Sequence, residues 1–424
     1  MTSIRICVTL ILSLAAGSPV FGQSLPAKLD KILTNPRVFK RGTRASMHVA
    51  ALPSGRLLYR RDDGRPLIPA SNQKLLVTAA ALERLEEPLV TEVYLSGRME
   101  GDVLHGDLVI RGGGDPTLNG LGNGGDVTRL LADWARFFRA RGLRKIAGDV
   151  IADDRIFDRQ FTHPGWPDNQ LHKSYCAPVA GVSLNGNCLD FFVSPGPTPG
   201  APARSTYWPP TPYIHPENDA RTVGKGSPKL GLYRRPGSDR IRLDGTLPVG
   251  GYDPVKIEIT VQNPPRFFAA VFYRVLRREG IAIEGHYRAV EPQERLEPIA
   301  GAPVLRYETT LEDVLRHMNV HSDNMHAESL LKLLGAAGGR QGTFDSGARA
   351  VERYMRTAVG AGRDEVTVSD GSGLCRNNRV SARAIAALLQ HMTTTEHARP
   401  FIGSLPVFGV NGTVENRLDD SPAR

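Results

Sequence analysis

Apolar and polar residues alternate from Ser46 to Leu58 around Pro53-Ser54-Gly55, and this pattern predicts a β-hairpin. The period then changes. Leu75, Leu76, Ala79, Ala80 and Leu82 recur at helical spacing, which predicts a helix over 72–85 with these residues on its buried side. Strand-like runs at 104–110 and 146–152 flank an amphipathic helix over 127–141. From Phe161 to Pro236 the chain is rich in Pro, Gly, Asn and Tyr and shows little periodicity, so it reads as loop-dominated. Regularity returns with a strand over 255–261 and a helix over 266–279. Helices are expected on both sides of His321-Ser322-Asp323-Asn324, and another over 381–392. No internal repeat is evident.

The first residues carry an address rather than a fold. Arg5 makes a short basic start, Ile6 to Ala16 is almost wholly apolar, and Val20-Phe21-Gly22 has small residues at cleavage spacing. The run is too short to span a bilayer, and no later run is long enough. The expectation is a signal peptide over 1–22, cleavage near Gly22 and a secreted, periplasmic product with no integral membrane segment. Cys7 lies inside the leader. Of the remaining cysteines, Cys176 and Cys188 sit in the loop-rich stretch of an exported chain. A disulfide between them would close a small ring, stabilising by roughly 3 kcal/mol. Cys375 is then left as a thiol. No CxxC pair or Cys/His cluster suggests a metal, and no cofactor is expected.

A chain of 424 residues exceeds one ordinary core, so two or three domains are expected. The 41% apolar and 23% charged content is that of a folded protein. The formal charge of +9 invites a nucleic-acid reading. The arginines are scattered, however, with no dense cluster or aromatic-interleaved stripe, so no nucleic-acid partner is expected. Gly120-Leu121-Gly122-Asn123-Gly124-Gly125 fits GxGxxG, but intervening residues separate it from the preceding strand, and the tight strand–loop–helix unit is lost. Gly112-Gly113-Gly114 has no P-loop lysine and reads as a tight turn.

Candidate chemistry starts where a helix does. Ser71 and Lys74, three residues apart, share a helix face one turn apart. That suits a hydroxyl nucleophile beside an amine that takes its proton, provided burial favours the neutral amine. The helix N-terminus also offers backbone N–H groups to a developing oxyanion. Alone, this is equally a helix cap followed by a solvated lysine. Ser322 and Asn324 place a hydroxyl and an amide between two helices, able to relay a proton and hold a carbonyl. Ser183-Leu184-Asn185 matches the same short pattern; its loop-rich flanks make Ser322 the preferred candidate.

The strings PASNQKLLVTAAAL, RGGGDPTL, GDVIADD, HSDNMHAESLL and DGSGLCRNNRVS, in this order, resemble those of the S13 peptidases. These are the penicillin-binding-protein-4 type of D-Ala-D-Ala carboxypeptidase/endopeptidase. The resemblance covers nearly the whole mature chain. It implies an α+β fold: a penicillin-binding transpeptidase/β-lactamase-like core, with helices around an antiparallel sheet and a large inserted domain. On that reading residues 23–91 and 296–424 build the core, and 92–295 form the insert with a loop-rich subdomain at about 155–245. The 251 residues separating Ser71 from Ser322 agree with such an insert. The resemblance assigns the active site to Ser71, Lys74, Ser322 and Asn324, and Asp153 to reading a diaminopimelate side chain. It implies acylation by peptidoglycan stem peptides and by β-lactam antibiotics. A β-lactamase using the same site and a non-enzymatic cell-wall binder are the alternative functions.

Two departures qualify the resemblance. Cys375 stands where the family usually has Ser, a nearly isosteric change to a weaker hydrogen-bond partner. The family's Lys-Thr-Gly motif has no counterpart, since no Lys, His or Arg is followed by Ser/Thr-Gly. The expectation is a core truncated before that strand, with its C-terminal strands missing, its sheet edge exposed and its activity impaired.

Overall fold

The computed structural model describes residues 6–9, 24–40, 42–85, 88–118, 126–251, 253–294, 296 and 302–417. The glycine-rich 120–125 segment and the expected cleavage position near Gly22 lie outside these residues. Two compact units emerge: Met1–Leu85 with Leu315–Asp323 and Leu330–Arg424, and Glu86–Val314 with Asn324–Ser329.

In the first unit, Ala45–Ala51 and Arg56–Arg61 form the hairpin that the alternation predicts, with a bulge between Val49 and Ala50. Ile6–Thr9 runs parallel to its first strand. Helix α1, Leu25–Thr34, lays Leu29 and Leu33 against Met47, Val49 and Tyr59. Helix α2, Gln73–Arg84, is buried almost all round from Leu76 to Leu82. Its alanines explain how: small side chains let neighbours pack close on every face, as in a central helix rather than an amphipathic one.

The second unit is built on a seven-stranded sheet. Strand Val103–Arg111 pairs antiparallel with Leu89–Glu100 and parallel with Val150–Asp153. Alternation divides the sheet's faces. Val93, Leu108, Ile110, Val150 and Ala152 share a core with helices α3, Val127–Ala140, and α4, Pro264–Arg278. Tyr94, Val109, Ile151 and Val290 form a separate cluster, as the two-residue strand period requires. Asp126 and Asn263 cap the two helices through their side-chain oxygens.

Most of the stretch 161–236 lies outside helices and strands, but five strands cross it. Cys188–Ser194 pairs with Val255–Thr260 and Arg204–Trp208. A separate four-stranded sheet unites His215–Asn218, Arg221–Val223, Lys229–Arg234 and Arg240–Pro248. Several of these strands span only three to five residues, too short for their alternation to stand out between prolines and glycines.

The expected Cys176–Cys188 disulfide is not formed; both residues are buried thiols. The segment joining them packs into the core. Ala177, Val179, Ala180, Val182, Ser183, Leu184 and Asn187 are all buried, so packing rather than a covalent bond fixes it. Burial also pushes the Cys176 thiol up to about 11.

Helices α5, Leu311–His321, and α6, Asn324–Ala336, flank the Ser322-Asp323 turn. The first unit ends with α7, Phe344–Thr357, α8, Ala382–Met392, and the short α9, Ala398–Gly403. Glu83 on α2 accepts from Tyr354 on α7 at 3.1 Å and meets His391 on α8 at 2.8 Å, joining three helices. No helix among the described residues is long and apolar enough to cross a membrane.

Candidate active site

Ser71 sits in a 3-10 turn, Ala70–Asn72, that leads directly into α2. The serine is exposed, whereas Lys74, one turn on, is only 2% exposed. Lys74 Nζ lies 3.4 Å from Ser71 Oγ, the pairing that their spacing predicts. The amine also donates to the Ser372 carbonyl at 3.2 Å. Main-chain conformation is unusual here, for Ala70 adopts a φ of +50°. An L-residue there carries strain of order 1–2 kcal/mol, which surrounding contacts must offset.

Those contacts come from the loop at 369–378, for which the sequence analysis predicted no site residue. Asp370 is fully buried and organises the loop. Its carboxylate accepts from Gly373 N at 2.9 Å, Cys375 N at 2.6 Å and Asn378 Nδ2 at 2.6 Å. Asn378 Oδ1 accepts in turn from Ser369 N at 2.7 Å. The Ser372 carbonyl is thereby presented to Lys74. Cys375 Sγ stands 3.2 Å from Ser369 Oγ, so the thiol is a loop component here. The usable signal in the sequence was Asp-Gly-Ser-Gly, a turn whose glycines permit close backbone approach.

Ser322 belongs to the same unit. It has a φ of +56°, and Asp323 N donates to Met318 O at 2.9 Å. This is a Schellman-type ending of α5 in which serine fills the left-handed position that glycine usually takes. A polar bridge sets the end of α5 relative to α2. Thr78 Oγ1 donates to Lys74 O at 2.8 Å, Asn319 Nδ2 donates to Thr78 Oγ1 at 3.1 Å, and the same amide reaches Ser404 Oγ at 2.9 Å. Ser183, the competing match, is buried and accepts from Asn187 Nδ2 at 3.0 Å within its own turn.

In the other unit, Asn324 opens α6 and donates through Nδ2 to Tyr175 O at 2.8 Å. Asp153 ends its strand on the wall of a cavity of about 600 Å³, also lined by Glu92, Arg111, Arg155 and Arg306. Arg155 grips the carboxylate bidentately at 2.8 and 2.7 Å, and Arg111 stands 3.9 Å away. Asp154 is buried and ion-paired to Arg159 at 2.8 Å instead. Burial outweighs that pairing and raises its carboxyl above the usual range. The two adjacent aspartates are thus separated by strand alternation.

Comparison with known proteins matches this architecture. The profile of the D-Ala-D-Ala carboxypeptidase 3 (S13) family matches residues 25–424. A D-alanyl-D-alanine carboxypeptidase of Actinomadura sp. (strain R39) is 31% identical over 445 residues, covering 97% of this chain and 78% of that protein. The D-alanyl-D-alanine carboxypeptidase DacB of Haemophilus influenzae is 26% identical, over 83% of this chain and 71% of the relative. The crystal structure of penicillin-binding protein 4 from the same organism superposes with a TM-score of 0.73 at 24% identity. It covers 86% of this chain and 78% of its own, which establishes the α+β penicillin-binding fold. The chain belongs to the D-Ala-D-Ala carboxypeptidase 3 (S13) family of peptidases.

Proposed function

We propose that the protein removes or cleaves D-Ala-terminated peptidoglycan stem peptides through an acyl-Ser71 intermediate. The observation that carries this reading is an exposed Ser71 hydroxyl within 3.4 Å of the buried amine of Lys74. Ser71 Oγ attacks the carbonyl carbon of the penultimate D-Ala, and its proton passes to the Lys74 amine. The tetrahedral centre collapses, the C–N bond breaks, and the departing D-alanine amine takes up a proton. Water then attacks the ester, releases the shortened peptide and restores Ser71. In this reading Ser322 relays protons and Asn324 holds the substrate amide. A β-lactam enters the same path, but its ring-opened acyl group retains the leaving nitrogen and blocks the site.

Charge in the Asp153 cavity favours a zwitterionic side chain. Arg111 and Arg306 can take a carboxylate and Glu92 an ammonium, while Asp153 fixes Arg155 in the wall, a fit for diaminopimelate. The apolar leader at 1–22 suits export to the periplasm with cleavage, checked by N-terminal sequencing of the secreted product.

The test is D-alanine release from a diaminopimelate-containing pentapeptide by the wild type, S71A and K74A. Wild-type release with a loss of at least about 10³-fold in each variant supports the mechanism. Undiminished release by either variant contradicts it. Rapid turnover of a chromogenic β-lactam without D-alanine release identifies a β-lactamase instead.

A further inference from the structure

Arginines that are dispersed along the sequence are gathered by the fold onto one helical layer. Helices α3 and α4 pack side by side, with Trp134 and Phe272 edge to face at 5.8 Å. Both bury their apolar sides in one core with the seven-stranded sheet. What remains outside is basic. On α3, Arg129, Arg136 and Arg139 are exposed, and Arg141 and Arg144 continue just past its end. On α4 the exposed residues include Arg266, Arg274, Arg277 and Arg278. With Lys145, the stretches 126–145 and 263–284 hold ten basic side chains against Asp126, Asp133, Glu279 and Glu284, a surplus of six out of the chain's nine.

The acidic residues are already engaged. Arg136 pairs with Asp133 at 2.7 Å and Glu279 at 3.2 Å, Arg278 reaches Glu279 at 3.3 Å, and Lys145 reaches Glu284 at 2.6 Å. Asp126 is occupied with capping α3. Arg266 stands 3.9 Å from Asp239 on a neighbouring segment. Arg129 and Arg274 have no carboxylate within ion-pair distance among the described residues. Three guanidinium groups of the layer lie over aromatic rings: Arg141 over Phe137 at 3.6 Å, Arg277 over Tyr273 at 5.7 Å, and Arg266 over Tyr213 and Tyr287 at 5.8 Å.

A solvated basic helix is ordinary. Concentration of most of a chain's net charge on two adjacent helices is not, because mutual repulsion disfavours it. The helices are each about 20 Å long and present a layer of charge rather than a concavity. We infer that this face docks the protein on an anionic phospholipid surface. Guanidinium groups backed by aromatic rings suit the boundary between headgroups and water, being weakly hydrated and able to bind phosphate bidentately. Each exposed arginine adds its own attraction to such a surface, and the sum falls steeply as salt shortens the screening length.

The test uses the full chain and sedimentation with large vesicles, either pure phosphatidylcholine or about one-third phosphatidylglycerol. Binding is expected to the anionic vesicles at about 50 mM NaCl and release at about 500 mM, with none to the neutral ones. The triple variant R129Q/R274Q/R277Q is expected to lower the partition coefficient at least tenfold, with unchanged unfolding temperature and D-alanine release. Equal binding to neutral vesicles, no binding to anionic ones, or undiminished binding of the triple variant overturns the inference. Binding to a soluble polyanion such as heparin with no vesicle binding overturns it as well.

Discussion

Gly373 and Ala70 meet backbone to backbone: a Cβ at Gly373 would lie 1.8 Å from the Ala70 carbonyl oxygen. Gly373 has a φ of +84° and Ala70 one of +50°, so each side of the contact has a left-handed main chain. The contact wedges the Asp370 loop beneath the turn that carries Ser71. It also places the Ser372 carbonyl against Lys74.

Gly373→Ala is therefore expected to displace the Ser71 turn, not merely to strain one residue. The stability loss should exceed about 2 kcal/mol, with acylation by penicillin slowed at least tenfold. Gly338→Ala is the control, since Gly338 also has a positive φ, of +82°, but nothing lies within 4 Å of the added carbon. It should cost about 1 kcal/mol and leave acylation unchanged. Denaturant midpoints and acylation rates of the two variants check this.

Much of the site was legible before the structure because it rests on local periodicity. Ser71 and Lys74 share a face for the simple reason that a helix repeats every 3.6 residues, and the polarity switch at residue 72 marked where that helix begins. What the sequence did not show is long-range. The link from Lys74 to Ser372 spans 298 residues, and nothing in local pattern points across that distance. The short strands between 204 and 223 escaped for another reason, as three to five residues hold too few alternations to register. The cysteine pairing failed because ring size was weighed without knowing that the intervening residues are core.

A carboxylate network in the second unit sets acid stability. Arg288 pairs with Glu294 through two contacts of 2.8 Å and with Asp149 at 2.6 Å. The Arg288 guanidinium holds the Glu294 carboxyl at about 2, below its ordinary 4.5. A depressed carboxyl stabilises the fold above its unfolded value, and that stability is lost as pH falls from 4.5 towards 2. Glu294→Gln should cost about 1–2 kcal/mol at neutral pH, after allowance for solvent screening, and almost nothing near pH 2. Urea titrations of both proteins across that range test it; equal loss at every pH would refute the ion-pair account.

Thiol chemistry separates packing from cross-linking. Cys176, Cys188 and Cys375 are all buried, and burial keeps the Cys176 thiol protonated at neutral pH. Alkylation of the native protein should therefore be slow at all three and rapid once urea unfolds the chain. Non-reducing peptide mapping should show no Cys176–Cys188 crosslink, whereas recovery of that crosslinked peptide from purified protein would contradict the packing argument.

The central claim is that the exposed hydroxyl beside the buried lysine is the nucleophile. It is tested most directly by mass spectrometry of the chain after reaction with benzylpenicillin, followed by peptide mapping. The account predicts a single penicilloyl group, carried by Ser71 alone, and none on the S71A variant. A label on Ser322 or another serine, or undiminished labelling of S71A, would contradict it.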